Sequence, residues 1–283
     1  MSGATARWRL DLAYDGSSFF GFAEQPQRDT VVGALRRALA TTLRMSNPPE
    51  VVGAGRTDTG VHAFAQVIHA DLPDPLYVND RGDPAARMMK SLNSQLASRI
   101  VVRSARIVDS SFHARFSATW RAYRYLVIES DDPALALNSA WSWNVAGPLD
   151  LDAMNHAASL IVGTHDFRSF CRRRAGTSSA DEQLRHVLDA RWRRLEDTWM
   201  ATPNGASALR LDIRANAFCH QMVRSLTSVM VAIGQAKEPV SLMKERLEVP
   251  DRALLASPAP PRGLALIGVG YPELAGGPSG FVS

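Results

Sequence analysis

Residues 53–64 read Gly-Ala-Gly-Arg-Thr-Asp-Thr-Gly-Val-His-Ala-Phe and set a lone carboxylate, Asp58, two positions after Arg56 and two before Gly60. Glycines and small residues let a backbone come close to a ligand. An Asp beside an Arg on such a loop suits an ionised carboxylate held out to a substrate. The same residues also read as a turn with an Asx cap, so local chemistry alone leaves both readings open. Cys171 and Cys219, the two cysteines, have neither metal-ligand nor redox spacing, and a reducing cytosol is the simplest compartment for them. Cys219 and His220 are adjacent but lack further ligands, so no metal site is expected.

The elements that must position Asp58 follow from periodicity. Trp8, Leu10, Leu12 and Tyr14 alternate with polar neighbours, predicting a strand over 7–14 that ends at Asp15-Gly16. Asp29-Thr30 can cap a helix that carries Val31, Leu35, Ala38 and Leu39 on one face. A short strand at 50–54 runs into the Asp58 loop and a strand at 65–70 follows. Ala85, Met88, Met89, Leu92 and Leu96 mark a second helix, and 100–108 a fourth strand. The order β-α-β-β-α-β is the ferredoxin-like one. The second half repeats it with insertions: strand 119–128, helix 150–162, strands near 186–194 and 207–214 with an extra one at 197–201, helix 219–233 and strand 264–271. The expected fold is α+β. Two ferredoxin-like halves join into a mixed, mostly antiparallel sheet with helices packed on it and an active-site cleft between the halves. The expected domains are 1–109, carrying the Asp58 loop, and 110–283. Residues 71–84, 171–181 and the tail from Gly276 read as loops.

Composition narrows the partners. The chain has 283 residues and 46% hydrophobic content, enough for a substantial core. It has no apolar run of membrane-spanning length, and Met1 to Trp8 lack an apolar signal core, so neither a membrane partner nor export is expected. Net charge is +4, and only Lys90, Lys237 and Lys244 among the 32 basic residues are lysines. Codon usage can set that ratio. The clustering of Arg168, Arg172, Arg173 and Arg174, then Arg185, Arg191, Arg193 and Arg194, favours a surface that meets a phosphate backbone. An enzyme of small acidic metabolites would also suit the charge, but no phosphate-cradling Walker motif is present.

Further segments complete a pattern. Tyr14-Asp15-Gly16 and Gly21-Phe22 stand near the start. Phe112-His113-Ala114-Arg115-Phe116-Ser117-Ala118 leads into Arg121-Ala122-Tyr123-Arg124-Tyr125. Asn216 to Arg224 opens a helix, and Arg262-Gly263-Leu264 precedes the last strand. Together with the Asp58 loop, these resemble the TruA family of tRNA pseudouridine synthases from about Leu10 to Pro272. The resemblance implies that uridine is isomerised to pseudouridine at tRNA positions 38 to 40, in the anticodon loop and stem. It implies no cofactor and no metal, a cytoplasmic homodimer and tRNA as partner. Asp58 matches the family's catalytic aspartate, and Arg224 its ion-pair partner. Arg56 matches an RNA-facing arginine that takes the place of a flipped uridine. Tyr123 matches the active-site tyrosine, on a strand face where an aromatic can stack a base, and Leu264 an apolar residue lining the uracil pocket. A structural or RNA-contacting role is expected for His62 and His113 rather than acid–base work. Where the family commonly has Trp-Gln after its N-terminal glycine, this chain has Phe22-Ala23. A non-catalytic RNA-binding protein would share the basic surface and the aromatic strand but would not need Asp58.

Overall fold

The computed structural model describes residues 4–74, 82–130, 140–172, 181–195, 207–249, 251 and 257–272. In chain order the elements are β1 (Thr5–Tyr14), α1 (Val31–Leu43), β2 (Val52–Gly53), β3 (His62–Pro73), α2 (Pro84–Leu96), β4 (Ile100–Ile107), β5 (Trp120–Glu129), β6 (Trp143–Val145), α3 (Leu151–Leu160), β7 (Gly163–Asp166), β8 (Leu184–Leu195), β9 (Ser207–Ala215), α4 (Met222–Gly234), α5 (Ser241–Glu248) and β10 (Leu264–Gly270). The architecture is mixed α+β, with mostly antiparallel strand pairing. The expected strand at 197–201 and most of the basic 171–181 segment lie outside the described residues.

The chain divides into two units, Met1–Thr119 with Leu266–Ser283, and Trp120–Ala265. In the first, strands run in the order β4-β1-β3-β10, with β2 also paired to β3. Leu10, Leu12 and Tyr14 bury one face of β1 as their alternation requires. Val31, Leu35, Ala38 and Leu39 of α1 and Met88, Leu92 and Leu96 of α2 are buried too. Both helices start on designed caps: the Thr30 hydroxyl accepts from the Gly33 amide, and the Asp83 carboxylate from Ala85 and Ala86. The β1–β3 register slips between Leu12 and Tyr14, a bulge of the kind that re-aims a strand end beside a functional loop.

The second unit orders its strands β5-β9-β8-β7, with β6 running parallel to β5. Trp192, Tyr125, Phe167 and Phe170 are among its fully buried side chains. The Trp192 indole N–H points to the Met230 sulfur at 3.2 Å, and Asn155 of α3 accepts the Trp192 amide and donates to its carbonyl. Short β6, β7 and α5 were not anticipated. Helix α4 begins at Met222, three residues later than its apolar pattern suggests, because Gln221 before it is left-handed (φ 64°).

Candidate active site

Asp58 lies half-buried on the loop from β2 to β3, with Arg56 and Thr59 exposed beside it and Thr57 buried. The Val61 amide donates to the Asp58 carbonyl at 3.1 Å, closing the turn. The stretch leading into the carboxylate is anchored at Thr57 and Gly55. The Thr57 hydroxyl meets the Tyr14 hydroxyl at 2.8 Å, and the Thr57 carbonyl accepts from the Phe22 amide at 3.1 Å. Gln66, fully buried on β3, donates to the Gly55 carbonyl at 3.0 Å and to the Tyr14 hydroxyl at 3.4 Å. Burial pushes the Tyr14 phenol up to about 12, against the hydrogen bonds from Thr57 and Gln66, so it stays protonated and bonded at neutral pH.

The segment after β1 presses on the loop from the other side. A Cβ on Gly21 (φ +94°) would fall 3.2 Å from the Thr57 carbonyl and 3.3 Å from the Thr59 amide, and one on Gly16 would fall 2.0 Å from the Val61 carbonyl oxygen. His62 is buried, with its Nδ1 3.2 Å from the Gly16 amide and 3.1 Å from the Asp15 carboxylate. Burial works against ionised Asp15, but hydrogen bonds from Ser17 and the adjacent His62 hold its carboxyl below the usual range. Asp58 therefore rides on a loop whose shape is set before any ligand arrives, the condition for electrostatic work at a reacting centre. Tyr14→Phe would leave the buried Thr57 hydroxyl short of a partner, and we expect about 1–3 kcal/mol less stability, read as a lower urea midpoint.

Of the other expected site residues, Tyr123, Arg224 and Leu264 belong to the second unit. Tyr123 is buried on β5, with its ring edge-on to Phe218 at 5.1 Å between centroids. Arg224 sits in the first turn of α4, half-buried, and its Nε donates to the Ala259 carbonyl at 2.7 Å. Ala259 returns its amide to the Arg224 carbonyl at 3.1 Å. The next residue, Pro260, accepts from the Tyr125 hydroxyl at 2.7 Å. Burial raises the Tyr125 phenol strongly, despite the nearby charges of Arg224 and Arg262, and marks it as a core side chain. A Cβ on Gly263 would meet that ring at 2.7 Å. The second unit thus gathers Arg224, Tyr125 and the 259–264 segment, ending in buried Leu264.

The cysteines need a correction. Cys171 and Cys219 form a disulfide, with Cα atoms 5.6 Å apart across 48 residues of sequence, so spacing along the chain concealed their pairing. The bond joins the start of the basic segment to the stretch just before α4 and next to Phe218, and it leaves no free cysteine among the described residues.

The tRNA pseudouridine synthase family model matches residues 12–117 and 157–272, spanning both units. The chain belongs to the tRNA pseudouridine synthase family. It is 40% identical over 270 residues to tRNA pseudouridine synthase A of Cutibacterium acnes, covering 94% of this chain and 89% of the relative. Proteins of the same name from Streptomyces griseus and Idiomarina loihiensis are 37% and 39% identical, covering 94% of this chain and 88% and 94% of their own lengths. Enzymes of this family are isomerases. The family match includes Arg56 and Asp58 in its first segment and Arg224 and Leu264 in its second, while Tyr123 on β5 falls in the interval between the two.

Proposed function

We propose that this chain converts uridine to pseudouridine at positions 38 to 40 of tRNA, with Asp58 as the nucleophile toward a flipped-out uridine. The observation that carries the reading is the half-buried carboxylate on a loop pinned by Tyr14, Phe22 and Gln66, in a chain that belongs to this family. The reaction breaks the N1–C1′ bond, turns the uracil and joins C5 to C1′. The proton lost from C5 is matched by one gained at N1, so no oxidant and no leaving group is required. Adding Asp58 to C6 and assisting departure of uracil from C1′ both need the ionised carboxylate. A nearby guanidinium favours that form, and the family resemblance gives Arg224 this role. Arg56, exposed on the same loop, fills the space of the extruded nucleoside, which costs a few kcal/mol to unstack. Tyr123 stacks on the base and Leu264 lines its pocket. Both halves are ferredoxin-like, a reading supported in the first by β1 lying between β4 and β3 and by the pairing of short β2 with β3. The enzyme works without a cofactor, as a homodimer with tRNA lying across both subunits; its cytoplasmic setting follows from the tRNA substrate and not from the cysteines, which are paired.

The second unit supplies cationic surface. Arg124, Arg193 and Arg210 all reach the single carboxylate of Asp212, three positive charges to one negative. Arg191 on β8 is exposed beside them, whereas Arg194 pairs with Glu129. Phosphate contacts release counterions, so affinity for tRNA is expected to fall about 10³-fold or more between 50 and 200 mM salt. Nitrocellulose binding across that range checks this, and a flat response would remove the basic surface from the reading. The function itself is tested by incubating the protein with unmodified tRNA and mapping pseudouridine in the anticodon arm. Tight binding without product would make the chain an RNA-binding protein instead.

A further inference from the structure

The Phe112–Ala118 segment, shared with the family, has no part in the chemistry above, yet the first unit spends much of its buried polar chemistry holding it. The Ala114 amide donates to Nδ1 of buried His69 at 3.0 Å, and the Ala114 carbonyl accepts from the Tyr271 hydroxyl at 2.8 Å. His113 Nδ1 accepts from both the Arg115 and Phe116 amides at 3.2 Å. Ser117 closes the turn, its amide donating to the His113 carbonyl at 2.8 Å and its hydroxyl accepting from the His113 amide at 2.9 Å. Arg7 of β1 ties the preceding residues by donating to the Ser110 and Phe112 carbonyls. The amides of residues 113–117 are therefore all satisfied within the unit.

What this frame presents is a large apolar ring. Phe116 is 75% exposed, although Phe112 and Ala114 in the same turn are buried. His113 lies against it, 4.4 Å between centroids with planes tilted by 32°. His113 in turn meets His69 at 4.8 Å, and His69 meets Phe112 at 6.2 Å. A column of rings thus climbs from the packed cluster of Phe112, Ala54 and Val67 to an open end at Phe116. The Arg115 guanidinium stands 5.4 Å from the Phe116 ring centre. An exposed aromatic flanked by a cation, fixed by backbone bonds, matches the chemistry that receives a nucleobase with its phosphate alongside. His69 keeps its acceptor role because burial above all, with the charges of Arg7 and His113 and against the pull of Asp71, lowers it to about 4.

We propose that the 113–117 turn is a second RNA contact, in which Phe116 stacks on an unpaired base of the tRNA while Arg115 meets the adjoining phosphate. The inference rests on the tRNA reading and extends it to a base other than the one that reacts. Phe116→Leu keeps the apolar bulk and removes the π face. It should weaken tRNA binding and raise KM by about 5- to 100-fold, the range for losing one stacked base, with kcat unchanged. Phe116→Trp should restore affinity, and its added emission should be quenched as tRNA is titrated in. Equal affinity of the Leu variant and the parent, or Trp emission indifferent to tRNA, would overturn the proposal. A Leu variant that changes sedimentation from dimer to monomer would overturn it too, by making Phe116 a contact between copies. If the parent makes pseudouridine and the Leu variant binds equally well, only this inference fails. If the parent makes none but loses binding on Phe116→Leu, the RNA contact stands and the enzymatic reading fails.

Discussion

Asp58→Asn is expected to make no pseudouridine above background, a loss of at least about 10³-fold in turnover, while binding tRNA within about threefold of the parent. Asparagine keeps the size of the side chain. The turn's own bond uses the Asp58 main-chain carbonyl, which the substitution leaves in place. Thr57 stays fastened through its hydroxyl and carbonyl to Tyr14 and Phe22. What disappears is the negative charge, which both chemical routes require. Single-turnover assays at saturating tRNA separate this from weaker binding. Product at even a tenth of the parental rate would take Asp58 out of the reaction.

The second large effect is structural. Gly16→Ala places a methyl group 2.0 Å from the Val61 carbonyl oxygen and 2.3 Å from its carbon, both backbone atoms that no rotamer change can move. The Gly16 amide is itself tied to His62 Nδ1, so neither side can drift without breaking a buried contact. We expect at least about 2 kcal/mol of destabilisation, at the upper end for overpacking. Turnover should fall more than tenfold in the folded fraction, since Val61 is the residue whose amide closes the Asp58 turn. Urea unfolding and turnover measured together check both parts. An unchanged midpoint would mean that the two segments are not in the close contact described.

Much of this was legible because local signals and tertiary needs agreed. Thr30, Asp83 and Asp150 each cap a helix through their side chains, and each stands just before an apolar run of helical period. Asp58 stood out because glycines and an arginine surround it at short range. Its support did not: Tyr14, Thr57 and Gln66 form one network although the Tyr14–Gln66 pair is 52 residues apart in sequence, and periodicity is blind to such contacts. A separation of 48 residues likewise hid the pairing of Cys171 with Cys219. Strand β7 is four residues of Gly-Thr-His-Asp, too short and polar to alternate, and it exists because β8 offers it an antiparallel partner. Phe116 reads in the sequence as one more apolar residue. Only its exposure beside two buried neighbours gives it a different meaning.

The last strand has a consequence for how the molecule is made. From Leu266 onward β10 belongs to the first unit, beside β3, although 146 residues of the second unit, Trp120–Ala265, are synthesised in between. A growing chain leaving the ribosome therefore completes the later unit before the earlier one. Until residues 266–270 emerge, the part of that side of β3 not paired with short β2 lacks its neighbour and presents open amides and carbonyls to other chains. Nascent polypeptides stalled short of that point would be prone to clump, and the first unit is finished only once the stretch from Leu266 has been made.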